Sequence, residues 1–466
     1  MVAAVSILYD PRPIGETAIG IFKAYDIRGL VPRELDEAMA RRVGRAFASF
    51  LGAKRLVVGR DARPHSPAIA AAAVEGMREE GATVVDVGLA STPMAYFAIA
   101  TLPSDGGLNV TASHNSAEYN GFKLCRAGAR ALSADTGIKE IERRATGPQV
   151  PPSAARGGIE KAEVLEAFAE HVTQFAEGVR PVRVAIDCGN GMAGLTIPEV
   201  LRRKKEIEAV PLCFEVDCSF PNHEANPLKE ETLAELKRAV RERRCAAGVA
   251  FDGDADRCVF VDERGETVPA DLLTALLARH FLARRPGAAI VYDLRSSRVV
   301  PEEIARAGGR AVRERVGHSF IKETIRREGA IFGGELSGHY YFEENFGCDS
   351  GEVAFAATLA MLAAGRRPLS ERIAGLRRYP KSPEINFRVR DVAEALERAV
   401  AAFPSAQVDR LDGVTIGAEE TGGWWWANLR PSNTEPLLRL NLEASRLDLF
   451  EAARRRFHEL LGEPAE

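Results

Sequence analysis

The feature that most constrains this chain is a unit of strand, turn and polar loop that occurs three times. The opening strands are "RLVVGRDAR" (55–63), "VRVAIDCGNG" (182–191) and "AAIVYDLRSSR" (288–298), each a short β-branched run that ends in Asp and a turn. Later in each unit a second strand runs into an unusually polar loop: "GGLNVTASHN" (106–115), "AAGVAFDGDADR" (246–257) and "GAIFGGELSGH" (329–339). Helical periods fill the intervals. "ELDEAMARRVGRAFASFLG" (34–52) puts Met39, Val43, Phe47 and Phe50 on one face and stops at Gly52, and "LAELKRAVRERR" (233–244) repeats the period with Leu233, Leu236 and Val240. Strands alternating with helices predict α/β units with mainly parallel sheets, whose ligand sites lie beyond the carboxyl ends of the strands. Three loops at matching positions are then expected to face one cleft.

A length of 466 residues suits about three domains, each able to bury its own core. The Pro-rich "GPQVPPSAARGG" (147–158) reads as a first linker and "RRYPKSPEINFRV" (377–389) as the last, with a less marked division near "VDERGET" (261–267). The expected division is 1–155, 156–262, 263–376 and 377–466. The last segment changes to a shorter, mixed α+β pattern that holds "WWWANLRPSNTEPLLRL" (424–440), in which Trp424, Trp425 and Trp426 read as strand packing.

The net charge of −4 is spread over interspersed acids and bases, so no basic stripe points to nucleic acid or an anionic membrane, and the expected partner is a small molecule. Seven cysteines without a C-x-x-C pair read as reduced thiols. The start "MVAAVSILYDPRP" lacks a basic n-region and a cleavage site, and no stretch approaches a membrane span, so a cytoplasmic protein is expected.

The loops carry the chemistry. "DGDADR" sets Asp252, Asp254 and Asp256 at alternate positions between two apolar runs; carboxylates this close repel unless a hard cation neutralises them, and oxygen-only ligation suits magnesium better than zinc. A calcium EF-hand, for which Glu263 stands at loop position 12, fails because Arg257 occupies the required glycine position, Phe260 occupies a ligand position and the flanks read as strands. Asp252 also fits the nucleophile of an aspartyl-phosphate phosphatase, a reading that leaves the serine loop without a role. "RPSNTEP" (430–436) combines Arg430, able to grip a phosphate bidentately, with Ser432, Asn433 and Thr434 in a turn able to complete an anion nest, although these are ordinary turn formers too. "GGELSGH" offers Glu335, Ser337 and His339 between glycines, a set suited to sugar hydroxyls. "TASHNSAEYNGFK" (111–123) places Ser113 beside His114 and ends on Lys123 without the G-x-S-x-G elbow of a triad hydrolase. Phosphoryl transfer needs a hydroxyl nucleophile, a metal, cations and a proton carrier, which is the set these loops supply.

Taken together, the loops resemble the α-D-phosphohexomutase family, most closely its phosphomannomutase/phosphoglucomutase group. The resemblance runs in order through "KAYDIRG" (23–29), "TASHNSAEYNGFK", "DGDADR", "VGHSFIK" (316–322), "GGELSGH" and "RPSNTEP". It implies an intramolecular phosphotransferase with three similar mixed α/β domains and a C-terminal α+β domain around a central cleft. It implies Ser113 as the carrier of the phosphoryl group, and Asp252, Asp254, Asp256 and phosphorylated Ser113 as ligands of Mg2+. Arg257 matches a cation near the transferred group, and Lys123 and His114 the candidates for proton transfer and charge stabilisation. Glu335 and Ser337 match residues that hold sugar hydroxyls, Arg430, Ser432, Asn433 and Thr434 the site of the phosphate not being transferred, and Tyr25, Arg28 and His318 further cleft residues.

The implied reaction interconverts hexose 1-phosphate and hexose 6-phosphate, of glucose or mannose or both, with hexose 1,6-bisphosphate as intermediate and activator, in a monomer or small homo-oligomer. Two departures stand out. Many members have "HNP" where this chain has Ser116, which predicts a less rigid turn, and Arg295 stands where close bacterial members carry a substrate-contacting lysine. The rivals are a phosphoglucosamine mutase, a group that usually carries Gln where Leu336 stands, a metal-dependent sugar phosphatase and a non-catalytic sugar-phosphate binding module.

Overall fold

The structure is a computed structural model that describes residues 18–148, 151–420, 422–431 and 437–465. Four sheets follow one another along the chain. The first three share a plan. In the first, Arg55–Arg60 pairs in parallel with Thr83–Leu89 on one side and Gly106–Val110 on the other. In the second, Val182–Asp187 lies between parallel neighbours Ile207–Leu212 and Ala247–Phe251. In the third, Ala289–Asp293 lies between Arg310–Glu314 and Phe332–Gly334.

The sheets are mixed rather than mainly parallel. Each polar loop turns the chain back into an antiparallel strand: Tyr119–Arg126, Cys258–Asp262 and Tyr340–Phe342. The first sheet is extended by Ile27–Leu30 at one edge and by Ile159–Lys161, next to Thr83–Leu89, at the other. The segment after the Pro-rich stretch therefore pairs with the first sheet. The fourth sheet is wholly antiparallel, in the order Ile385–Arg388, Leu437–Ala444, Gly423–Pro431, Val414–Glu420, Gln407–Asp409.

Local sequence accounts for the helices that brace the loops. Glu37–Leu51 starts at Asp36, whose side chain accepts the Met39 N–H, and ends at Gly52 in the left-handed conformation, with Met39, Val43 and Phe47 buried and Phe50 half-buried beneath the Arg126 guanidinium. Ala234–Glu242 buries Leu236 and Val240, and Leu233 belongs to the single 3-10 turn before it. Gly351–Ala363 is almost wholly buried, apolar on every side except at Glu352 and Thr358, and its first residue donates to the carbonyl of Ala255 in the second loop (3.0 Å). One apolar core runs through the first three sheets, whereas the fourth has its own, built on Phe387, Ile416, Trp425, Leu429, Leu440 and Phe457. Trp425 packs in that core, Trp424 lies edge-on to Tyr379 and Trp426 donates to Glu443 (2.9 Å), so the tryptophan run is strand packing. All seven cysteines are free, and among the described residues no helix is long and apolar enough to cross a membrane.

Candidate active site

The three loops are the hairpin turns between a parallel strand and its antiparallel return, which brings them to the same end of their sheets. Ser113 stands just past Gly106–Val110 with φ +52, its N–H held by Thr111 Oγ1 (3.0 Å), and the return strand carries Lys123 back beneath it. The Asp252–Asp256 turn closes through Ala255 at φ +63. Left-handed φ costs a residue with a side chain about 1–2 kcal/mol, so both turns are kept by the surrounding contacts.

The first two loops interlock. Ser113 Oγ donates to Asp252 Oδ2 at 2.9 Å. Asp252, Asp254 and Asp256 are each no more than 1% exposed, with oxygens within 4.8 Å of one another. Lys123 Nζ bonds Asp254 Oδ2 (2.7 Å) and Asp256 Oδ2, and Thr92 Oγ1 donates to Asp254 Oδ2 (2.6 Å). Burial, then Asp256 and Asp254, pushes the Asp252 carboxyl well above its usual range. Burial would raise Asp256 as well, but Lys123 and His339 hold it well below. Burial would likewise lower Lys123, and the carboxylates of Asp254 and Asp256 outweigh it, so its pKa is raised and it stays a cation. Among the described residues, Asp254 Oδ1 and Asp256 Oδ1 are buried without a hydrogen-bond partner, the latter 3.5 Å from His339 Nε2, and an all-carboxylate donor set of this kind can hold a hard metal ion.

A residue that the motifs did not single out organises the serine loop. Arg63 is 1% exposed, paired with Asp61 (3.0 Å), and donates to the carbonyls of Ser113 (2.8 Å), Asn115 (2.7 Å), Ser116 (2.5 Å) and Tyr119 (3.1 Å), with Phe220 packed against it. The turn at Ser116, expected to be looser without proline, is thus fixed by a guanidinium fork. Its only sequence signal is the Asp-x-Arg that ends the first opening strand. His114 is half-buried, its Nδ1 3.4 Å from Ser113 Oγ, and the protein around the ring, with Arg257 and Arg28, lowers its pKa well below the ordinary imidazole value.

The third loop meets the second through His339, whose Nδ1 lies 3.0 Å from Glu335 Oε2 and 3.0 Å from Ser337 Oγ and whose Nε2 lies 3.1 Å from Arg257 Nε and 3.5 Å from Asp256 Oδ1. Burial and Arg257 would lower its pKa, but Asp256 and Glu335 raise it to about 9. Glu335 takes the Gly317 N–H on Oε1 (3.0 Å) and His339 and Tyr341 on Oε2. A carboxylate has about four acceptor positions, so one remains for a ligand. Burial opposes its ionisation, yet His339 and Arg295 hold its pKa at about 2. His318 packs edge-on to Tyr25, with burial and Lys322 lowering its pKa, and its Nε2 has no partner among the described residues.

The fourth sheet closes the set. Arg430 is 4% exposed on Gly423–Pro431, and with Arg295 and Arg439 it surrounds Glu384 (3.8, 3.6 and 3.2 Å). Arg295 is anchored by Asp293 (2.8 Å) and Arg28 bonds Asn115 Oδ1 (2.6 Å). Ser432, Asn433 and Thr434 lie outside the described residues. One cleft of about 1240 Å³ is lined from all four sheets by Tyr25, Arg28, Ser113, His114, Lys123, Asp256, Arg257, Arg295, His318, Glu335, Ser337, His339 and Arg430, with Asp252 and Asp254 buried behind it. Thr92, Arg63, Tyr341, Glu384 and Arg439 are the site residues the motifs missed. None stands in a loop whose composition sets it apart.

The chain matches, in order, the phosphoglucomutase/phosphomannomutase alpha/beta/alpha domain I over residues 20–149, domain II over 164–265, domain III over 269–379 and the C-terminal domain over 384–459. It is 38% identical to a phosphomannomutase of Salmonella typhimurium over 459 residues, covering 96% of this chain and 100% of that one. It is 39% identical over 429 residues to phosphohexose mutases of Xanthomonas campestris, covering 91% and 94%. The crystal structure of a phosphoglucomutase/phosphomannomutase family protein from Burkholderia thailandensis superposes with a TM-score of 0.86 at 32% identity, covering 96% of this chain and 99% of that one. With all four domains matched in order and each bringing side chains to the shared cleft, the chain belongs to the phosphoglucomutase/phosphomannomutase family.

Proposed function

We propose that this protein is a hexose-phosphate mutase that interconverts the 1- and 6-phosphates of glucose, mannose or both in the cytoplasm, with Ser113 as phosphoryl carrier. The observation that carries the reading is the serine hydroxyl 2.9 Å from Asp252 in a buried triad of carboxylates, with Lys123 paired to the other two and the Arg257 guanidinium 3.9 Å from Asp252. Asp252, Asp254 and Asp256, with an oxygen of phosphorylated Ser113, would hold Mg2+, which when bound neutralises charge on the transferring group. The buried Asp254 Oδ1, without a hydrogen-bond partner among the described residues, and the all-oxygen donor set fit that ion.

The chain's own residues divide the remaining work. A free hydroxyl of the hexose monophosphate attacks phosphorus, the serine ester bond breaks, and a hexose 1,6-bisphosphate forms. His114, neutral and 3.4 Å from Ser113 Oγ, takes the proton of the attacking hydroxyl and returns it to the departing serine oxygen. Lys123, held protonated by two carboxylates, stabilises charge instead. Glu335 and Ser337 hold sugar hydroxyls, and Arg430 with Ser432, Asn433 and Thr434 holds the phosphate that is not reacting, with Tyr25, Arg28, Arg295 and His318 lining the space in which the bisphosphate turns round. The second transfer returns the other phosphate to Ser113.

The test follows glucose 1-phosphate and mannose 1-phosphate side by side, with glucosamine 1-phosphate as third substrate and inorganic phosphate measured throughout. The expected result is conversion of the hexose phosphates to 6-phosphates without phosphate release. Release of phosphate equal to the substrate consumed overturns the mutase in favour of a phosphatase.

A further inference from the structure

Outside the cleft, at the carboxyl end of the second sheet, Asp187, Cys213 and His223 converge. Asp187 ends the strand Val182–Asp187 and Cys213 follows Ile207–Leu212 in a left-handed conformation, φ +51. His223 Nε2 lies 3.2 Å from Asp187 Oδ2 and 3.9 Å from Cys213 Sγ. A cysteine-histidine-aspartate nucleophile would use one imidazole nitrogen for the carboxylate and the other for the thiol. Here a single nitrogen faces both, so the cluster has the wiring of a ligand set and not of a catalytic triad.

We infer that Asp187, Cys213 and His223 form a second metal site, for a borderline divalent ion such as Zn2+, separate from the carboxylate site of the cleft. Zinc at its usual bond lengths separates tetrahedral ligands by about 3.5 Å for sulfur to nitrogen and about 3.3 Å for nitrogen to oxygen. The corresponding separations are 3.9 and 3.2 Å, and all three donor atoms lie within 4.8 Å of one another, so the ion draws the thiol inward. The outer contacts orient the donors as metal ligands are oriented. His223 Nδ1 is 2.8 Å from the Glu224 carbonyl, which fixes one proton there, and Asp187 Oδ1 accepts the Gly189 N–H (2.9 Å); the Nε2 proton shared with Asp187 Oδ2, a bond that raises the imidazole pKa to about 9, is the one the ion displaces. Asp187 is buried while Cys213 and His223 are half-exposed, which gives an entry path and room for a water as fourth ligand. The mixture of sulfur, nitrogen and oxygen suits zinc rather than magnesium.

The site also has a place in the architecture. Between Cys213 and His223 the chain carries Phe220, at φ +58, whose ring packs against the Arg63 guanidinium (5.2 Å), the group that holds the Ser113 carbonyl. An ion joining Cys213 to His223 closes this loop and steadies the support beneath the serine.

The experiment titrates Co2+ into the full-length protein in excess Mg2+. One equivalent is expected to bind with a thiolate-to-cobalt charge-transfer band, which Zn2+ then displaces, and the band is expected to vanish in Cys213→Ser and in His223→Gln while far-UV circular dichroism remains native. No band in the wild-type protein, or a band that survives Cys213→Ser, overturns the site. Should either variant unfold, alkylation decides on the wild-type chain: Zn2+ is expected to protect Cys213 from iodoacetamide at least tenfold, and equal labelling with and without Zn2+ overturns the proposal.

Discussion

Replacing Gly253 by alanine adds one methyl where the second loop crosses the first. That carbon would stand 2.5 Å from the Ser113 carbonyl oxygen and 3.1 Å from Phe220 Cζ. The carbonyl is not free to swing away, because Arg63 holds it at 2.8 Å. Ordinary contact begins near 3.4 Å, so the loops must part by about 0.9 Å, the difference between 3.4 and 2.5 Å, and the 2.9 Å approach of Ser113 Oγ to Asp252 opens by a similar amount. A misplacement of about 1 Å at the reacting atoms costs on the order of 100-fold in rate, so kcat is expected to fall about 100-fold. KM is expected to change by less than about threefold, because the sugar and the second phosphate are held by groups on the third and fourth sheets. A coupled assay from glucose 1-phosphate to glucose 6-phosphate reads both constants. Gly158→Ala is the control, since its added methyl meets nothing nearer than 3.8 Å, and it is expected to be neutral. A Gly253→Ala enzyme with kcat within about threefold of wild type would refute the claim that the approach of the two loops sets the rate.

Ser113→Ala is expected to bind substrate but lose nearly all turnover, and intact-mass measurement should show that a phosphate-sized addition present in the wild-type protein is gone; full activity would end the carrier role. Arg430→Ala removes a charge-assisted phosphate contact worth about 2–3 kcal/mol, so kcat/KM should fall roughly 30- to 150-fold in both directions, and a loss confined to one direction contradicts a shared distal phosphate site. Arg63→Lys keeps the charge but replaces a fork that reaches four carbonyls and Asp61, which should destabilise the first domain by about 3 kcal/mol in chemical denaturation. Glu352, buried between Thr196 and Ser350, has its carboxyl pushed by burial from 4.5 to about 7, so its protonated form favours the folded state and stability is lost as pH rises from about 4.5 through 7; Glu352→Gln should remove that loss, gaining up to about 3 kcal/mol at pH 8 and little at pH 4.

The repeat was legible because each unit begins with a β-branched strand, and that pattern depends only on burial of both faces. Strand direction was harder to read. Tyr119–Arg126, Cys258–Asp262 and Tyr340–Phe342 have the composition of strands that could run either way, and the expectation of mainly parallel sheets followed from the helices alone. The decisive signal lay in loop length. The connections at 111–118, 252–257 and 335–339 are shorter than the dozen or so residues a parallel crossover requires, so each return strand had to be antiparallel. The same shortness puts all three loops at one end of their sheets and makes a common cleft possible.

Within the cleft, the residues that a loop presents could be read from the chain, and the residues that hold the loop could not. Asp252, Asp254 and Asp256 announce themselves by repulsion, which no ordinary turn tolerates without a cation. Arg63, Thr92 and Tyr341 act through buried contacts with positions 50, 162 and 6 residues away, and apart from the Asp-x-Arg that carries Arg63 nothing in their local sequence distinguishes them from surface or core residues. The division of labour between His114 and Lys123 shows the same limit. Both stand near Ser113 in sequence and either type can move a proton. What separates them is the company each keeps: the protein around its ring, with two arginines, lowers the pKa of half-buried His114, while two buried carboxylates raise that of Lys123. A proton carrier must be able to change its charge during the reaction and an electrostatic stabiliser must not, so in the proposed mechanism the pairing of Lys123 with two carboxylates suits it to charge stabilisation and the histidine beside the serine suits proton transfer.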